Sequence, residues 1–129
     1  MEKEEGRLEV IIGTMFSGKS TELIKRVRRC MSCYGVPAQV FKPKKDTRYG
    51  ETDVYSHDGF TIEAIPVSNT DEMKTLIETK TGIIGVDEAQ FLDENLIEYS
   101  NQLANEGKIV VIAGLPKDFR DKPFPFQNS

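Results

Sequence analysis

The chain of 129 residues lacks the patterns that mark several common classes of protein. No run approaches the ~20 apolar residues of a membrane span. The acidic beginning, MEKEEG, lacks the basic-then-apolar order of a secretory signal. The formal net charge of −4 argues against broad non-specific binding of nucleic acid. We therefore expect a cytoplasmic protein with neither a membrane nor a nucleic acid as partner.

Cysteine and histidine are also scarce. The sequence has two cysteines, Cys30 and Cys33, and one histidine, His57. A structural zinc site needs four ligands, so a single C-x-x-C supplies half of one. The two cysteines also fall inside a predicted helix, which favours ordinary helix residues over a metal or redox motif. His57 has no role that its neighbours in sequence define.

Apolar residues change between strand-like and helix-like spacing along the chain. Short apolar runs predict strands at 8–12, 38–42, 60–65, 83–86 and 108–112. Apolar residues at three- and four-residue steps predict helices from Ser20 to a stop at Gly35, over 71–79 and over 93–106. In the first of these helices, the apolar stripe is formed by Leu23, Ile24, Val27 and Met31. Loops are expected at 44–53 and from Pro116 onward. The pattern predicts one α/β domain, residues 1–129, with a mostly parallel sheet flanked by helices.

A phosphate-binding motif, G-x-x-x-x-G-K-[ST], is present at residues 13–20. In such a loop, backbone N–H groups surround the phosphates, and the following helix adds its positive N-terminal end. We expect Lys19 to reach the β- and γ-phosphates and Ser20 to bind Mg²⁺. The flanking strand and helix are the context that a P-loop NTPase requires. The nucleotide-binding residues predicted here are Gly13, Thr14, Met15, Phe16, Ser17, Gly18, Lys19 and Ser20.

Two adjacent carboxylates, Asp87 and Glu88, follow the apolar run at 83–86. In P-loop proteins, an acid at the end of a strand completes the magnesium site, usually through water. A neighbouring glutamate can take a proton from an attacking hydroxyl group or water. We therefore predict that Asp87 serves the metal together with Ser20, and that Glu88 is the base.

Five ordered segments resemble the cytosolic thymidine kinase family, whose core is RecA-like. These segments are GTMFSGKSTEL at 13–23, PKKDTRY at 43–49, SHDG at 56–59, DEAQFL at 87–92 and AGLPKDFRDKPF at 113–124. The resemblance extends over residues 8–124. It implies phosphorylation of thymidine or deoxyuridine at the 5′-hydroxyl, with ATP and Mg²⁺, by a homo-oligomer that is a tetramer in the family.

The resemblance also implies roles for individual residues. Glu88 would deprotonate the 5′-hydroxyl, while Lys19 and Arg48 would offset the charge on the transferring group. Beyond the phosphate loop, it implies ATP contacts from Asp46, Thr47, Arg48, Asp87, Glu88, Ala89 and Gln90. It implies contacts with the thymine base from Met15, Phe91, Leu115, Phe119 and Phe124.

The chain departs from the family pattern at two places. Pro116 stands where the family usually has aspartate, and proline removes a backbone N–H. Family members also continue into a four-cysteine zinc site and a lasso loop that grips the thymine. This sequence stops at Ser129 without them. We therefore expect no ligands here for the family's zinc, and an incomplete nucleoside site.

Two other functions are open at this point. One is a P-loop ATPase of the DNA-repair or motor class, in which Glu88 would activate water. The other is a nucleotide-binding module without turnover. The base-pocket segment at 113–124 favours the kinase, because an ATPase has no need of it.

Overall fold

The computed structural model describes residues 6–12, 18–44, 53–55 and 61–114, with the backbone alone at 53–55 and at Thr61. The strands are β1 (Arg7–Ile12), β2 (Ala38–Pro43), β3 (Asp53–Tyr55), β4 (Thr61–Glu63), β5 (Ile65–Val67), β6 (Ile83–Val86) and β7 (Ile109–Gly114). The helices are α1 (Lys19–Tyr34), α2 (Thr70–Leu76) and α3 (Asn95–Asn105), with a 3-10 helix at Ala89–Phe91.

Five of the strands form a parallel sheet in the order β1-β7-β6-β2-β5. The short strands β3 and β4 form a separate antiparallel pair. Parallel strands place their carboxyl ends at one edge of the sheet, so the carboxyl ends of β1, β2 and β6 lie on the same side. The predicted α/β core, with a mostly parallel sheet and flanking helices, is confirmed.

Apolar side chains pack on both faces of the sheet. The α1-side core joins α1 to one face, with the buried residues Leu23, Ile24, Val27, Cys30, Val40, Ala64, Ile83, Ile109, Val111 and Ala113. The α3-side core joins α2 and α3 to the other, with the buried residues Phe41, Val67, Met73, Ile84, Val86, Ala89, Leu96, Leu103, Val110 and Ile112. Strands β6 and β7 are buried along their whole length. This explains why their sequences have no polar face.

Gly85 allows α1 to lie close against β6. A Cβ atom at this position would lie 3.2 Å from Val27 Cγ2 and 3.3 Å from Val40 Cγ2. Both distances are tighter than ordinary van der Waals contact, so the absent side chain brings the helix close to the strand. The packing matters for the site, because the first turn of α1 then reaches the residue that follows β6.

The predicted strand at 60–65 is wrong in its bounds. The segment contains two strands, β4 and β5, separated by the buried Ala64. Pro66, expected beyond the strand, lies inside β5. The carbonyl of Val67 accepts a hydrogen bond from Lys44 N, directly after β2, at 2.9 Å. Because the backbone groups of successive strand residues point in opposite directions, those of Pro66 point away from β2. Proline is tolerated there because β5 is an edge strand among the described residues.

Two further predictions need correction. Strand β3 begins at Asp53, within the expected loop at 44–53, because it pairs with β4. Met31 was expected on the apolar stripe of α1, but it is 40% exposed. Cys30 is buried in its place. A step of four residues leads from Leu23 to Val27, and a step of three leads from Val27 to Cys30, so the three side chains share one face of the helix. Cys33 is exposed on the same helix.

The helices otherwise agree with the expected positions. Helix α1 ends at Tyr34, directly before Gly35, and α3 lies within the predicted segment 93–106. Helix α2 begins at Thr70, one residue before the predicted segment 71–79, and ends at Leu76. In the described ranges, none of the helices has the length and apolar character needed to cross a membrane.

Candidate functional site

Helix α1 begins where the phosphate motif ends. Gly18 precedes the helix with φ of 86°, a left-handed conformation that glycine adopts without steric penalty. Its carbonyl accepts the first helical hydrogen bond, from Glu22 N at 3.0 Å. Lys19 and Ser20 are the first two residues of the helix and are half-buried. Their position is the positive end of the helix dipole, where an anion is stabilised.

Several predicted site residues lie outside the described residues. They are Gly13, Thr14, Met15, Phe16 and Ser17 of the phosphate motif, Asp46, Thr47 and Arg48, and Leu115, Phe119 and Phe124. His57 and Pro116 also lie there.

Ser20 and Asp87 meet although they are 67 residues apart in sequence. The hydroxyl of Ser20 donates to Asp87 Oδ2 at 3.1 Å, with Oδ1 at 3.4 Å. Asp87 follows β6 directly and is only 6% exposed. The sheet therefore brings together one hydroxyl and one carboxylate, at the N-terminus of α1.

The carboxylate of Asp87 is poorly stabilised by the groups around it. Burial raises its pKa, and the hydrogen bonds from Ser20 and from the backbone of Glu88 offset only part of that effect. The charges of Lys19 and Lys42 contribute less. A buried acid in this state gains from additional positive charge.

The donor set at this position fits Mg²⁺. Ser20 and Asp87 offer oxygen atoms, which Mg²⁺ prefers, and Mg²⁺ commonly takes one or two protein ligands plus phosphates and water. The raised pKa of Asp87 is consistent with a carboxylate that a cation would stabilise. In the part of the chain that the structure describes, no three His, Cys, Asp or Glu residues form a group that could enclose a metal.

Lys42 is a candidate site residue that lies in none of the sequence motifs. Strand β2 pairs with β6 so that Phe41 lies opposite Val86, and Asp87 N donates to Phe41 O at 2.9 Å. Phe41 and Val86 both belong to the α3-side core. Because successive side chains alternate between faces, Lys42 and Asp87 both face the α1 side. The only signal for Lys42 is the order of the strands, which the sequence motifs do not contain.

Glu88 has a strained backbone. Its φ of 51° and ψ of 47° place it in the left-handed region, and it is the only non-glycine among the described residues with positive φ. Such strain is uncommon for a residue with a side chain and is concentrated at functional sites. Glu88 precedes the 3-10 helix, and its carbonyl accepts from Phe91 N at 3.1 Å.

The 3-10 helix places the remaining predicted residues at the same edge of the sheet. Ala89 is buried in the α3-side core, and Gln90 is half-buried. Phe91 is 47% exposed, which is unusual for a large aromatic side chain. An exposed aromatic ring gives this edge a surface on which a planar ligand can stack.

The family model of thymidine kinase matches residues 6–128. The chain belongs to the thymidine kinase family. The match confirms the resemblance that the sequence motifs indicate, and the α/β fold agrees with the P-loop core of a thymidine kinase.

Relatives with the name thymidine kinase are also similar in sequence. A thymidine kinase of Porphyromonas gingivalis is 49% identical over 119 residues, which cover 92% of this chain and 57% of the relative. A thymidine kinase of Bacteroides fragilis is 46% identical over 122 residues, which cover 95% of this chain and 60% of the relative. The chain therefore spans 57–60% of the length of these curated relatives.

Proposed function

We propose that this chain carries the ATP-binding core of a thymidine kinase, which transfers the γ-phosphoryl group of ATP to the 5′-hydroxyl of thymidine or deoxyuridine. Family membership and the relatives named thymidine kinase support the reaction. The hydrogen bond between Ser20 and Asp87, at the start of α1, is the observation that carries the proposal. It joins the phosphate motif to the strand-end acid, as phosphoryl transfer with Mg²⁺ requires.

Each group at the site has a role in the proposed transfer. The phosphate loop and Lys19 hold the β- and γ-phosphates, and Ser20 and Asp87 would hold Mg²⁺. When bound, Mg²⁺ supplies positive charge to the phosphate oxygens. Glu88 accepts the proton of the 5′-hydroxyl, whose oxygen forms the new bond to the γ-phosphorus. The bond from that phosphorus to the β–γ bridging oxygen breaks, and ADP leaves with the electron pair.

The other predicted contacts extend this proposal. Arg48 offsets charge on the transferring group, and Lys42 adds a second positive charge beside Asp87. Further ATP contacts come from Asp46, Thr47, Ala89 and Gln90. The thymine base packs against Met15, Phe91, Leu115, Phe119 and Phe124.

Three expectations accompany the proposal. Residues 1–129 form a single nucleotide-binding domain, the protein assembles as a homotetramer, and it acts in the cytoplasm.

The release of ADP from ATP and Mg²⁺, measured with and without thymidine, tests the proposed reaction. We expect ADP release to depend on thymidine and to be lost in the Glu88→Gln variant. Turnover at the same rate without thymidine would contradict the kinase and indicate an ATPase. ATP binding without turnover under either condition would indicate a nucleotide-binding module.

A further inference from the structure

Residues 87–93, here named the Glu88 turn, connect β6 to the segment before α3. The beginning of the turn is fixed to two neighbouring elements. Asp87 N donates to Phe41 O of β2 at 2.9 Å, and the carboxylate of Asp87 accepts from Ser20 of α1. The residue before Glu88 is therefore held by both its backbone and its side chain.

The end of the turn is fixed to α2 by Asp93. Its Oδ1 atom accepts two hydrogen bonds from Thr70, from the backbone N at 2.7 Å and from Oγ1 at 2.9 Å. Burial disfavours the charged carboxylate, but the hydrogen bonds from Thr70, together with those from the backbone of Asp93 and Asn95, outweigh it and lower the pKa of Asp93. Asp93 is therefore an ionised acceptor at neutral pH, and Thr70 supplies two of its hydrogen bonds.

Helix α2 is a firm attachment for Asp93. Thr70 is fully buried, and Met73 of the same helix is fully buried in the α3-side core. Asn69 Oδ1 accepts from Glu72 N at 2.8 Å, and Glu72 accepts from Ser68 N at 2.7 Å. These two bonds resemble a capping box and satisfy the first turn of the helix locally. Asp93 adds the bond to Thr70 N, which comes from outside the helix.

The middle of the turn contains the strained residue, next to Ala89, which is buried in the α3-side core. Its described backbone hydrogen bonds are short-range, from Phe91 N to Glu88 O at 3.1 Å and from Leu92 N to Ala89 O at 3.0 Å. Glu88 lies between the two fixed ends with its left-handed backbone. A strained residue persists only where the surrounding structure holds it in place. Release of one end would allow Glu88 to return to a common conformation.

We propose that Asp93 is a positioning residue for Glu88, because its two hydrogen bonds from Thr70 hold the far end of the strained turn that carries the base. The kinetic part of this inference rests on the proposed function. The part that concerns the turn itself rests on the fold alone. An ordinary cap of α2 would stabilise the helix without any effect on Glu88, so the two roles can be separated.

The test compares Asp93→Ala with Asp71→Ala in the otherwise unchanged protein. Asp71 is the matched control, since it is an exposed carboxylate in the first turn of α2 whose ion pair with Lys74, at 3.9 Å, does not involve the Glu88 turn. The measurements are kcat, KM for ATP and thymidine, melting temperature, and amide hydrogen exchange of Phe91 and Leu92. Asp93→Asn is added because it retains an acceptor oxygen at the same position.

We expect Asp93→Ala to lower kcat by ~10–100-fold with both KM values within about twofold, since displacement of a catalytic group has effects of this size. Amide exchange at Phe91 and Leu92 should become ~10-fold faster than in Asp71→Ala, because opening of the turn is no longer opposed by the bonds to Thr70. Asp93→Asn should recover part of both effects. A lower melting temperature with kcat and exchange equal to the control would overturn the proposal.

Two further outcomes of the test also have a defined interpretation. If the unchanged protein shows no thymidine-dependent transfer, the proposed function fails, and amide exchange alone decides whether Asp93 holds the turn. If Asp93→Ala does not fold, Thr70→Val and Thr70→Ser replace it. Valine removes the hydroxyl donor to Asp93, whereas serine retains it. Faster exchange and lower kcat in the valine variant alone support the proposal, and equal behaviour of the two variants contradicts it.

Discussion

The amino and carboxyl ends of the parallel strands differ in how their polar side chains are satisfied. At the amino end, Gln39 accepts from Glu78 N at 3.0 Å and from Thr81 Oγ1 at 2.7 Å, and donates to Leu76 O at 3.0 Å. Lys108 Nζ donates to Thr81 O at 2.6 Å. These side chains complete the hydrogen bonding of the segment between α2 and β6.

At the carboxyl end, the polar groups are less well compensated. Asp87 is buried with a raised pKa, and Glu88 has a strained backbone. A group with complete hydrogen bonding stabilises the fold, whereas a group with incomplete compensation can bind a ligand. The comparison indicates that the amino end contributes stability and that the carboxyl end contributes function. Substitutions at the two ends should therefore separate stability from activity.

The largest effect is expected for Glu88→Gln. The side chain keeps its size but cannot accept a proton, so kcat should fall by ~10²–10⁴-fold. The melting temperature should stay the same or rise, because the hydrogen bonds of the amino end are unaffected. Steady-state kinetics and a thermal melt measure both. A kcat within about threefold of the unchanged protein would exclude Glu88 as the base.

A smaller effect is expected for Asp87→Asn. The Mg²⁺ concentration for half-maximal activity should rise by ~10–100-fold, the size seen when a group that orients a metal or its water is lost. Titration of activity with Mg²⁺ measures it, and an unchanged midpoint would place the metal elsewhere.

The same variant should be more stable than the unchanged protein in EDTA. Because the fold raises the pKa of Asp87 above its ordinary value of 3.8, the native state binds more protons than the unfolded state between the two values. Stability therefore falls as the pH rises through that interval, and the full penalty is present above it. The neutral amide of the variant has no such penalty. Thermal melts from pH 4 to pH 8 should show a smaller loss of stability with pH in the variant.

Gly85→Ala tests whether the packing of α1 against β6 controls the nucleotide site at the carboxyl end of the strands. The added methyl group would crowd Val27 and Val40 and should destabilise the fold by about 2 kcal/mol. The displaced helix should also move Ser20 away from Asp87 and raise KM for ATP. Urea denaturation and ATP titration measure the two effects. A loss of stability without a change in KM would show that the position of α1 does not limit nucleotide binding.

The smallest effect is expected for Gln39→Ala. Loss of its hydrogen bonds should lower the free energy of unfolding by about 1 kcal/mol, with kcat unchanged well below the melting temperature. Gln39→Glu is the control, because it keeps the acceptor for Thr81 and Glu78 N. A fall in kcat in the alanine variant would remove the distinction between the two ends.

The sequence predicts those parts of the molecule that depend on local patterns. Continuous apolar runs predict β6 and β7, and the phosphate motif and the strand-end acid identify Ser20 and Asp87 as partners. Strand β5 is different, because proline normally indicates the end of a strand. Its position at the edge of the sheet that the described residues form permits Pro66 inside it.

The features that the sequence does not predict depend on contacts between distant segments. Lys42 lies beside Asp87 because β2 pairs with β6, and strand order cannot be read from periodicity. Asp93 contacts Thr70 across 23 residues. The left-handed backbone of Glu88 has no signal in the residue type, since glutamate rarely adopts it.

Pro66 has a consequence for the chain during its synthesis. Strand β5 is made before β6 and β7, so its outer edge exists while the apolar segments that complete the sheet are still absent. Exposed strand edges at that stage can pair with other incomplete chains. The backbone of Pro66 points to that outer edge and has no N–H to donate. The residue therefore opposes strand addition by a neighbouring nascent chain and favours the monomeric route to the folded core.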